Sequence, residues 1–311
     1  MRTGTRSWSG VRGGVAWPAQ IAIGIALVAV AWPLAWAGPA PWSEHTFFPL
    51  WLGYILTVDG ITERRGGTSL VRRSPVGFAL LFAYSIPLWW LFEFANGFLG
   101  NWEYRSPRSY DPLVYTALAS LAFSTVLPAL CVTAEFWRTT PALRRPARWV
   151  RFAPSRRGLG LIAAAGLGMF VLSLMAPRQA FPLVWIGLFL FLDPINALTG
   201  GRSLAAQVAR GRWDTVWVLF ASGLTCGFFW EMWNIRSMPK WVYDVPYLAG
   251  PKLFEMPWLG YGGYLPFALE VYAAYHLLQT LLRRGPDRLL TFDAIDDAAQ
   301  RRVDPRFPSP L

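Results

Sequence analysis

The chain has 311 residues, of which 54% are hydrophobic and 15% are charged, and its formal net charge is +11. Soluble domains carry about 25% charged residues, so this composition favours an integral membrane protein over a soluble one. The two cysteines and two histidines argue against a disulfide framework and against a multi-histidine metal centre. We therefore predict neither a metal nor a cofactor.

Eight segments are apolar enough to be considered as membrane helices, each of which needs about 20 such residues. In chain order they are roughly 16–37, 46–62, 76–98, 112–134, 157–177, 181–199, 214–234 and 259–282. The second and the sixth are the weakest, because each is short and holds an aspartate. The first could instead be a signal peptide, since Ala-Trp-Ala at 35–37 resembles a cleavage site. Its apolar run is long for a signal, and we favour a retained helix.

The lysine and arginine residues indicate the orientation of these segments. If the N-terminus is cytoplasmic, 23 of the 29 basic residues fall in cytoplasmic segments. This asymmetry predicts a multi-pass protein of the cell (inner) membrane with both termini in the cytoplasm. The net positive charge then reflects the excess of basic residues in the cytoplasmic segments. It needs no nucleic-acid partner to explain it, and we predict none.

The sequence contains an internal repeat. WLGYILTVDGITERRGGTSL, residues 51–70, and WIGLFLFLDPINALTGGRSL, residues 185–204, share nine of twenty positions, including Asp59 and Asp193. A second pair of segments shares the pattern Glu-x-x-Asn followed by Trp-x-Tyr. Its residues are Glu93, Asn96, Trp102 and Tyr104 in one copy, and Glu231, Asn234, Trp241 and Tyr243 in the other. Such self-similarity is typical of a duplicated structural unit.

The fold class predicted from these patterns is an all-α integral membrane protein. Its eight transmembrane helices would form two parallel four-helix repeats, related by a pseudo-two-fold axis along the membrane normal. The predicted segments are a cytoplasmic N-terminus (1–15), membrane repeat 1 (16–134), a basic cytoplasmic linker (135–156), membrane repeat 2 (157–283) and a cytoplasmic tail (284–311).

The acidic residues within the predicted helices are the candidate catalytic groups, because charge in hydrocarbon is costly and generally faces a cavity or a partner. At 1.5 Å per residue, Asp59 lies about 7 Å from the inner boundary and Glu93 about 25 Å from it. Glu270 lies about 16 Å deep, close to the midplane, and the matching helix of the first half has no acid. We predict Glu270, Glu231, Asn234, Glu93 and Asn96 as catalytic, and Asp59 and Asp193 as a proton path or as structural groups.

Aromatic residues near these acids are the candidate substrate-binding groups. They are Trp241, Tyr243, Trp102, Tyr104 and Tyr261. Structural interpretations stay open for most of these patterns: helix caps for Gly-Gly-x-Ser-Leu, an interfacial belt for Trp-x-Tyr, and a hydrogen-bonded neutral acid for Glu270. In the tail, the acidic run of Asp293, Asp296 and Asp297 resembles, in reverse, the aspartate-rich diphosphate motifs of prenyl-transferring enzymes. An exposed acidic turn explains it at least as well.

The chain resembles the membrane cyclases of the carotenoid pathway, of the lycopene-cyclase type. Those enzymes are also duplicated membrane units, and they use acidic residues within the membrane without a metal centre. The comparable residues are Trp241, Gly250, Pro266 and Glu270. The resemblance implies acid-catalysed chemistry on an isoprenoid. The Pro-x-Glu-Glu type of signature expected of that family is absent from this sequence, so the chain is not assigned to it.

Three functions are compatible with these residues. The first is an enzyme that acts on an isoprenoid or another lipid by carboxylate acid–base chemistry in an aromatic cavity. The second is a proton-coupled transporter built from duplicated halves. The third is an accessory subunit that binds lipid or pigment. All three share one expected partner, a membrane lipid or a hydrophobic small molecule, and the oligomeric state is not predicted.

Overall fold

A computed structural model describes residues 17–145, 147–247, 250–282 and 289–293. The predicted N-terminal segment 1–15 and most of the predicted tail lie outside these residues. The α-helices are α1 (Trp17–Ala37), α2 (Phe47–Gly66), α3 (Leu70–Arg73), α4 (Pro75–Leu99), α5 (Pro112–Phe123), α6 (Val126–Arg138), α7 (Pro141–Arg144), α8 (Arg156–Met175), α9 (Pro177–Ala180), α10 (Val184–Thr199), α11 (Leu204–Ala209), α12 (Asp214–Asn234) and α13 (Tyr264–Leu281). The strands are β1 (Trp102–Arg105), β2 (Lys240–Tyr243), β3 (Lys252–Leu253) and β4 (Met256–Pro257), and 3-10 helices cover Trp42–His45, Phe181–Leu183 and Trp258–Gly263.

By length and composition, six helical segments of the described chain are apolar enough to cross a membrane. They are Trp17–Ala37, Pro75–Leu99, Pro112–Arg138, Arg156–Met175, Pro177–Thr199 and Asp214–Asn234. The segments predicted as the second and eighth spans form the helices α2 and α13, which are not among these six and hold more polar residues, such as Asp59 and Glu270. The protein is therefore a mostly helical, multi-pass membrane protein.

Two helix pairs pack closely through glycines. A methyl group at Gly53 of α2 would lie 2.7 Å from the carbonyl oxygen of Gly24 in α1. In the same way, a methyl group at Gly166 of α8 would lie 2.7 Å from the carbonyl oxygen of Gly187 in α10. Small residues at such crossings allow membrane helices to approach backbone to backbone.

The turns that follow α2 and α10 are built alike. Each helix ends at a glycine in the left-handed region, Gly67 with φ 75° and Gly200 with φ 79°. The next short helix then begins at a serine, Ser69 or Ser203, whose side chain accepts a hydrogen bond from the backbone of the first turn. These are ordinary helix-capping contacts, as the structural interpretation of Gly-Gly-x-Ser-Leu predicted.

The segment Pro112–Arg138 is broken between α5 and α6. The buried hydroxyl of Ser85, in α4, donates to the carbonyl of Phe123 at 2.5 Å and accepts from the N–H of Leu127 at 3.0 Å. These two backbone groups would bond each other in an unbroken helix. Pro128 also removes the next N–H of the helix. One side chain from a neighbouring helix thus satisfies the backbone at the break.

A two-stranded antiparallel ribbon, β1 with β2, lies at one end of the bundle, which we call the ribbon end. In its register Trp102 is paired with Tyr243, and Tyr104 with Trp241. We call the opposite end, where α6 ends and α12 begins, the linker end. There Arg138 forms an ion pair of 2.8 Å with Asp214.

Residues 289–293 pack at the linker end of the bundle. The carboxylate of Glu135, at the end of α6, accepts hydrogen bonds from the N–H of Thr291 at 2.6 Å and of Phe292 at 3.2 Å. Arg73 lies 2.8 Å from the same carboxylate and donates its Nε hydrogen to the carbonyl of Leu289. Leu290 and Phe292 are fully buried, so this segment belongs to the core.

Asp293 is buried among polar side chains of the second half of the chain. Its carboxylate contacts Arg202 at 2.7 Å, the hydroxyl of Tyr272 at 2.9 Å and Nε2 of His276 at 3.4 Å. Burial alone would raise the pKa of Asp293, but the contacts with His276 and Arg202 hold that pKa below its usual value. The interpretation of this residue as part of an exposed turn was wrong, and the other two acids of the run lie outside the described residues.

Ser85→Ala is expected to destabilise the protein, because it leaves the carbonyl of Phe123 and the N–H of Leu127 without their shared partner. The expected loss is about 1–3 kcal/mol in the free energy of unfolding, measured by thermal unfolding in detergent. Thr116→Ala is the matched control, since this exposed hydroxyl of α5 bonds only the carbonyl of Pro112 one turn away. Equal stability of the two variants would contradict the bridging role of Ser85.

Asp293→Asn is expected to loosen residues 289–293, because the neutral side chain keeps its shape and loses its charge-assisted contact with Arg202. The expected loss is about 1.5–3 kcal/mol, together with faster amide exchange in this segment by hydrogen–deuterium exchange. Glu103→Gln removes a carboxylate whose ion pair with Arg105 is exposed on both sides, and should change stability by less than about 0.5 kcal/mol. Unchanged exchange in Asp293→Asn would show that the charge does not hold the segment.

Candidate functional site

A cavity of about 820 Å³ lies at the ribbon end of the bundle. Its inner surface comes from the last turns of α4 and α12, the first turns of α10 and α13, and α5, and is rich in aromatic side chains. Phe92, Trp185, Trp230 and Phe267 belong to this surface. Small-molecule sites typically have volumes of about 300–1,000 Å³ with a mostly apolar lining, so the cavity has the size and chemistry of a ligand site.

The carboxyl group of Glu93, in α4, stands behind one part of the cavity wall. Its Oε1 atom accepts hydrogen bonds from the indole of Trp89 at 2.8 Å, the indole of Trp102 at 3.3 Å and the hydroxyl of Tyr104 at 2.5 Å. The three donors line the cavity. We call these four residues the first cluster.

The carboxyl group of Glu231, in α12, has an equivalent set of donors. Its Oε1 atom accepts from the hydroxyls of Tyr243 and Tyr264, both at 2.6 Å, and from the indole of Trp241 at 3.5 Å. These three side chains also line the cavity. We call these four residues the second cluster. Glu231 is fully buried, and its Oε2 atom has no hydrogen-bond partner among the described residues.

The ribbon tyrosines are hydrogen-bond donors at neutral pH. Burial, and then the neighbouring carboxyl of Glu93, raises the pKa of the Tyr104 hydroxyl. Burial and Glu231 raise the pKa of the Tyr243 hydroxyl in the same way. Both phenols therefore stay protonated and donate to the carboxyl groups behind them.

The ribbon supplies these donors because two asparagines hold its strands. The side chain of Asn96 donates to the carbonyl of Trp102 at 2.8 Å and accepts from the N–H of the same residue at 3.2 Å. Asn234 makes the same two contacts with Trp241, at 2.7 and 2.9 Å. Each predicted Asn thus lies one turn after its Glu and positions the strand rather than facing the cavity.

The second cluster differs from the first in one donor. Trp89 lies four residues before Glu93, and the residue four before Glu231 is Gly227. A methyl group at Gly227 would lie 2.3 Å from the ring of Tyr264. The phenol of Tyr264 therefore occupies the space that the missing side chain leaves, and supplies the third hydrogen bond from α13.

Glu270 does not line the cavity. It is fully buried in α13, with the backbone of Phe189 in α10 facing it. Neither of its carboxyl oxygens reaches hydrogen-bond geometry with any described residue. Phe267, about one turn earlier in α13, does line it. The prediction that Glu270 is catalytic is not tested by this position.

The two predicted aspartates lie at the linker end, on the far side of the bundle from the cavity. Asp59 accepts from the N–H of Leu70 at 2.9 Å and from the side-chain amide of Gln20 at 2.9 Å. Asp193 accepts from the N–H of Leu204 at 2.7 Å. Both carboxylates tie the end of one helix to the start of the next.

Tyr261 lies beside the cavity rather than in its lining. Its hydroxyl donates to the carbonyl of Leu253 at 3.2 Å, and its ring is 5.9 Å from that of Tyr264. Within the described part of the chain, no group of three or more His, Cys, Asp or Glu residues could hold a metal ion.

The sequence analysis missed several residues of the site. Trp89 was detectable, because a residue four positions before Glu93 shares its helix face. The residues at the rim of the cavity were not detectable, because they are far apart in the sequence. Glu44 contacts Arg108 at 3.2 Å and the hydroxyl of Tyr110 at 2.8 Å. Tyr264 could not be assigned to Glu231 without the packing of α13 on α12.

No protein-family model, no curated protein and no solved structure matches this chain.

Gly227→Ala is expected to displace Tyr264 from Glu231, because the added methyl group overlaps its ring. Overpacking of this kind costs about 1–3 kcal/mol in the free energy of unfolding, which thermal unfolding in detergent would detect. Gly97→Ala in α4 is the matched control, since a methyl group there meets nothing within 4 Å. It should leave stability unchanged or raise it by up to about 1 kcal/mol. Equal effects would contradict the packing of Tyr264 into the space at Gly227.

Proposed function

We propose that this multi-pass membrane protein binds an isoprenoid or another lipid-like molecule in the ribbon-end cavity and acts on it by acid–base chemistry. The observation that carries the proposal is that two carboxyl groups, the half-buried Glu93 and the fully buried Glu231, are each held by three aromatic donors behind the wall of one apolar cavity. An apolar lining favours a hydrophobic molecule. The polar contacts are concentrated at the two clusters and at the rim.

Glu231 is the proposed acid–base group. Its Oε2 atom is unoccupied by the described residues, whereas the hydroxyls of Tyr243 and Tyr264 connect its Oε1 atom to the cavity surface. In this step the hydroxyl of Tyr243 or Tyr264 turns from Oε1 to the ligand, gives its proton to a double bond and takes the carboxyl proton in its place. A proton lost from the resulting cation returns to the carboxylate by the reverse transfers. Faces of Trp185 and Trp230 would stabilise that cation.

The other predicted residues take supporting roles in this proposal. Glu93 holds the first cluster, and Asn96 and Asn234 position the ribbon. The ribbon aromatics and Tyr261 form the binding surface and its border. Glu270, about one turn after Phe267 in α13 and outside the lining of the cavity, remains a predicted proton donor.

We also propose that the bundle consists of two equivalent four-helix repeats, 16–134 and 157–283, related by a pseudo-two-fold axis along the membrane normal. The ribbon register supports this, because exchanging Trp102 with Trp241 and Tyr104 with Tyr243 leaves the pairing unchanged. The matched glycine crossings and helix caps of the two halves support it too. In this arrangement the linker end faces the cytoplasm of a cell with the protein in its inner membrane, and both termini are cytoplasmic.

A proton-coupled transporter is the second candidate, favoured by the contrast between the two ends. The cavity reaches exposed residues such as Leu259 at the ribbon end. At the linker end, the Arg138–Asp214 and Arg73–Glu135 ion pairs and residues 289–293 fill the bundle. A carrier that is open on one side and closed on the other has this asymmetry.

The test compares wild type with Glu231→Gln and with its counterpart Glu93→Gln, each purified gently from membranes. Native mass spectrometry and lipid extraction would identify the bound molecule and its chemical form. Wild type should retain a defined apolar molecule. Glu231→Gln should accumulate the unreacted form, with turnover reduced about 100-fold or more, while Glu93→Gln turns the molecule over.

Three outcomes would count against the enzyme. Bulk phospholipid alone in all three proteins would remove the ligand proposal. One specific molecule in the same chemical form in all three would favour an accessory binding role. Proton flux into liposomes that Glu231→Gln abolishes, without any chemical change in a bound molecule, would favour the transporter.

A further inference from the structure

The linker at the other end of the protein forms a fixed platform although it contains no long helix or strand. Residues 147–152 run along the segment that precedes α12. The N–H of Trp149 donates to the carbonyl of Gly211 at 3.0 Å, and the N–H of Trp213 to the carbonyl of Ala147 at 2.9 Å. The indole of Trp213 also donates to the carbonyl of Val150 at 2.8 Å. Side chains on this segment therefore have defined positions.

The platform presents large apolar side chains to its surroundings. Trp149, Val150 and Phe152 are 61%, 62% and 58% exposed. The ring of Trp149 stacks on that of Trp217, at 6.4 Å between centroids, and Trp217 lies in the first turn of α12. A soluble surface rarely leaves such a group of apolar residues uncovered.

This apolar patch continues along a membrane helix. Trp217, Leu224 and Phe228 are each about 40% exposed, and their spacing places them on one face of α12, a candidate membrane span. The exposed side chains of the platform therefore lie where the outer surface of a span meets the membrane boundary, which is the level that tryptophan prefers.

Unpaired positive charge surrounds the patch. Six exposed arginines lie in and beside the linker: Arg144, Arg145, Arg148, Arg151, Arg156 and Arg157. No Asp or Glu occurs between Glu135 and Asp193, and none of the six forms an ion pair with a residue that the structure describes. By contrast, the neighbouring Arg138 and Arg212 both contact Asp214. The six cations are thus available to an external anion.

We infer that residues 144–145 and 147–157, with Trp217, form a binding site for the phosphate head group of anionic phospholipids, and we call it the arginine–tryptophan platform. Arginine donates to phosphate oxygens in a planar, bidentate geometry, and the exposed rings pack among the acyl chains just below the head groups. A soluble polyanion would pair with the arginines but would leave Trp149, Val150 and Phe152 in water. The inference does not depend on what the ribbon-end cavity binds.

The experiment uses the full-length protein in detergent and follows lipid binding by native mass spectrometry. Phosphatidylglycerol is titrated against phosphatidylcholine of the same chain length. Each arginine near an anionic membrane surface contributes about fivefold in affinity. The double variant Arg148→Gln/Arg151→Gln should therefore lower affinity for phosphatidylglycerol by about 25-fold and leave phosphatidylcholine binding unchanged.

The matched control removes the same amount of charge from the ribbon end. Arg105→Gln/Lys252→Gln should keep the wild-type preference for phosphatidylglycerol, and thermal unfolding checks that both double variants fold. Trp149→Ala should weaken both lipids alike, because it removes apolar contact rather than charge.

Two results would overturn the inference. One is a loss of phosphatidylglycerol binding that is equal in the control and the platform variant, which would mean that net charge alone acts. The other is displacement of phosphatidylglycerol by a short single-stranded oligonucleotide at the same concentration, with Trp149→Ala having no effect, which would assign the platform to a soluble polyanion.

Discussion

The ribbon end of this protein depends on how two carboxyl groups, one half-buried and one fully buried, are satisfied. A carboxyl group in an apolar region is costly unless hydrogen-bond donors surround it. Glu93 and Glu231 receive theirs from indole and phenol groups, which carry a single polar atom on a large apolar ring. The same side chains therefore satisfy the acid on one side and present an apolar wall on the other, and the space between the two walls is the cavity.

The ribbon is the consequence of that constraint. Two donors of each cluster reach the carboxyl group from beyond the end of its own helix, because the chain returns there as a short strand. Asn96 holds Trp102, the first residue of β1, and Asn234 holds Trp241, the second residue of β2. Pairing of the two strands satisfies further backbone groups. Helix end, asparagine, strand and aromatic donor thus form one connected unit that occurs twice.

Sequence patterns identified this unit because its parts are close together in the chain. Glu-x-x-Asn followed by Trp-x-Tyr spans little more than a helical turn and a loop, so spacing alone grouped Glu93 with Tyr104 and Glu231 with Tyr243. Contacts between segments that are far apart in the chain produce no local sequence pattern, so they could not be predicted. Tyr264 reaches Glu231 from another helix, Glu44 meets Arg108 across three intervening helices, and Glu135 receives the backbone of Thr291 from the tail. Depth along a helix placed Glu270 among buried residues, but it could not show that this acid lies outside the lining of the cavity.

The difference at Gly227 gives the cavity two unlike walls. The first cluster presents two indoles and one phenol, and the second presents one indole and two phenols. The second half has Gly227 at the position equivalent to Trp89, and Tyr264 supplies the missing hydrogen bond instead. A molecule turned end for end between identical walls would have the same energy in both poses. Here the two poses differ in which end meets the richer set of hydroxyl groups, so any occupant has a preferred direction, and chemistry at Glu231 would fall on one of its ends.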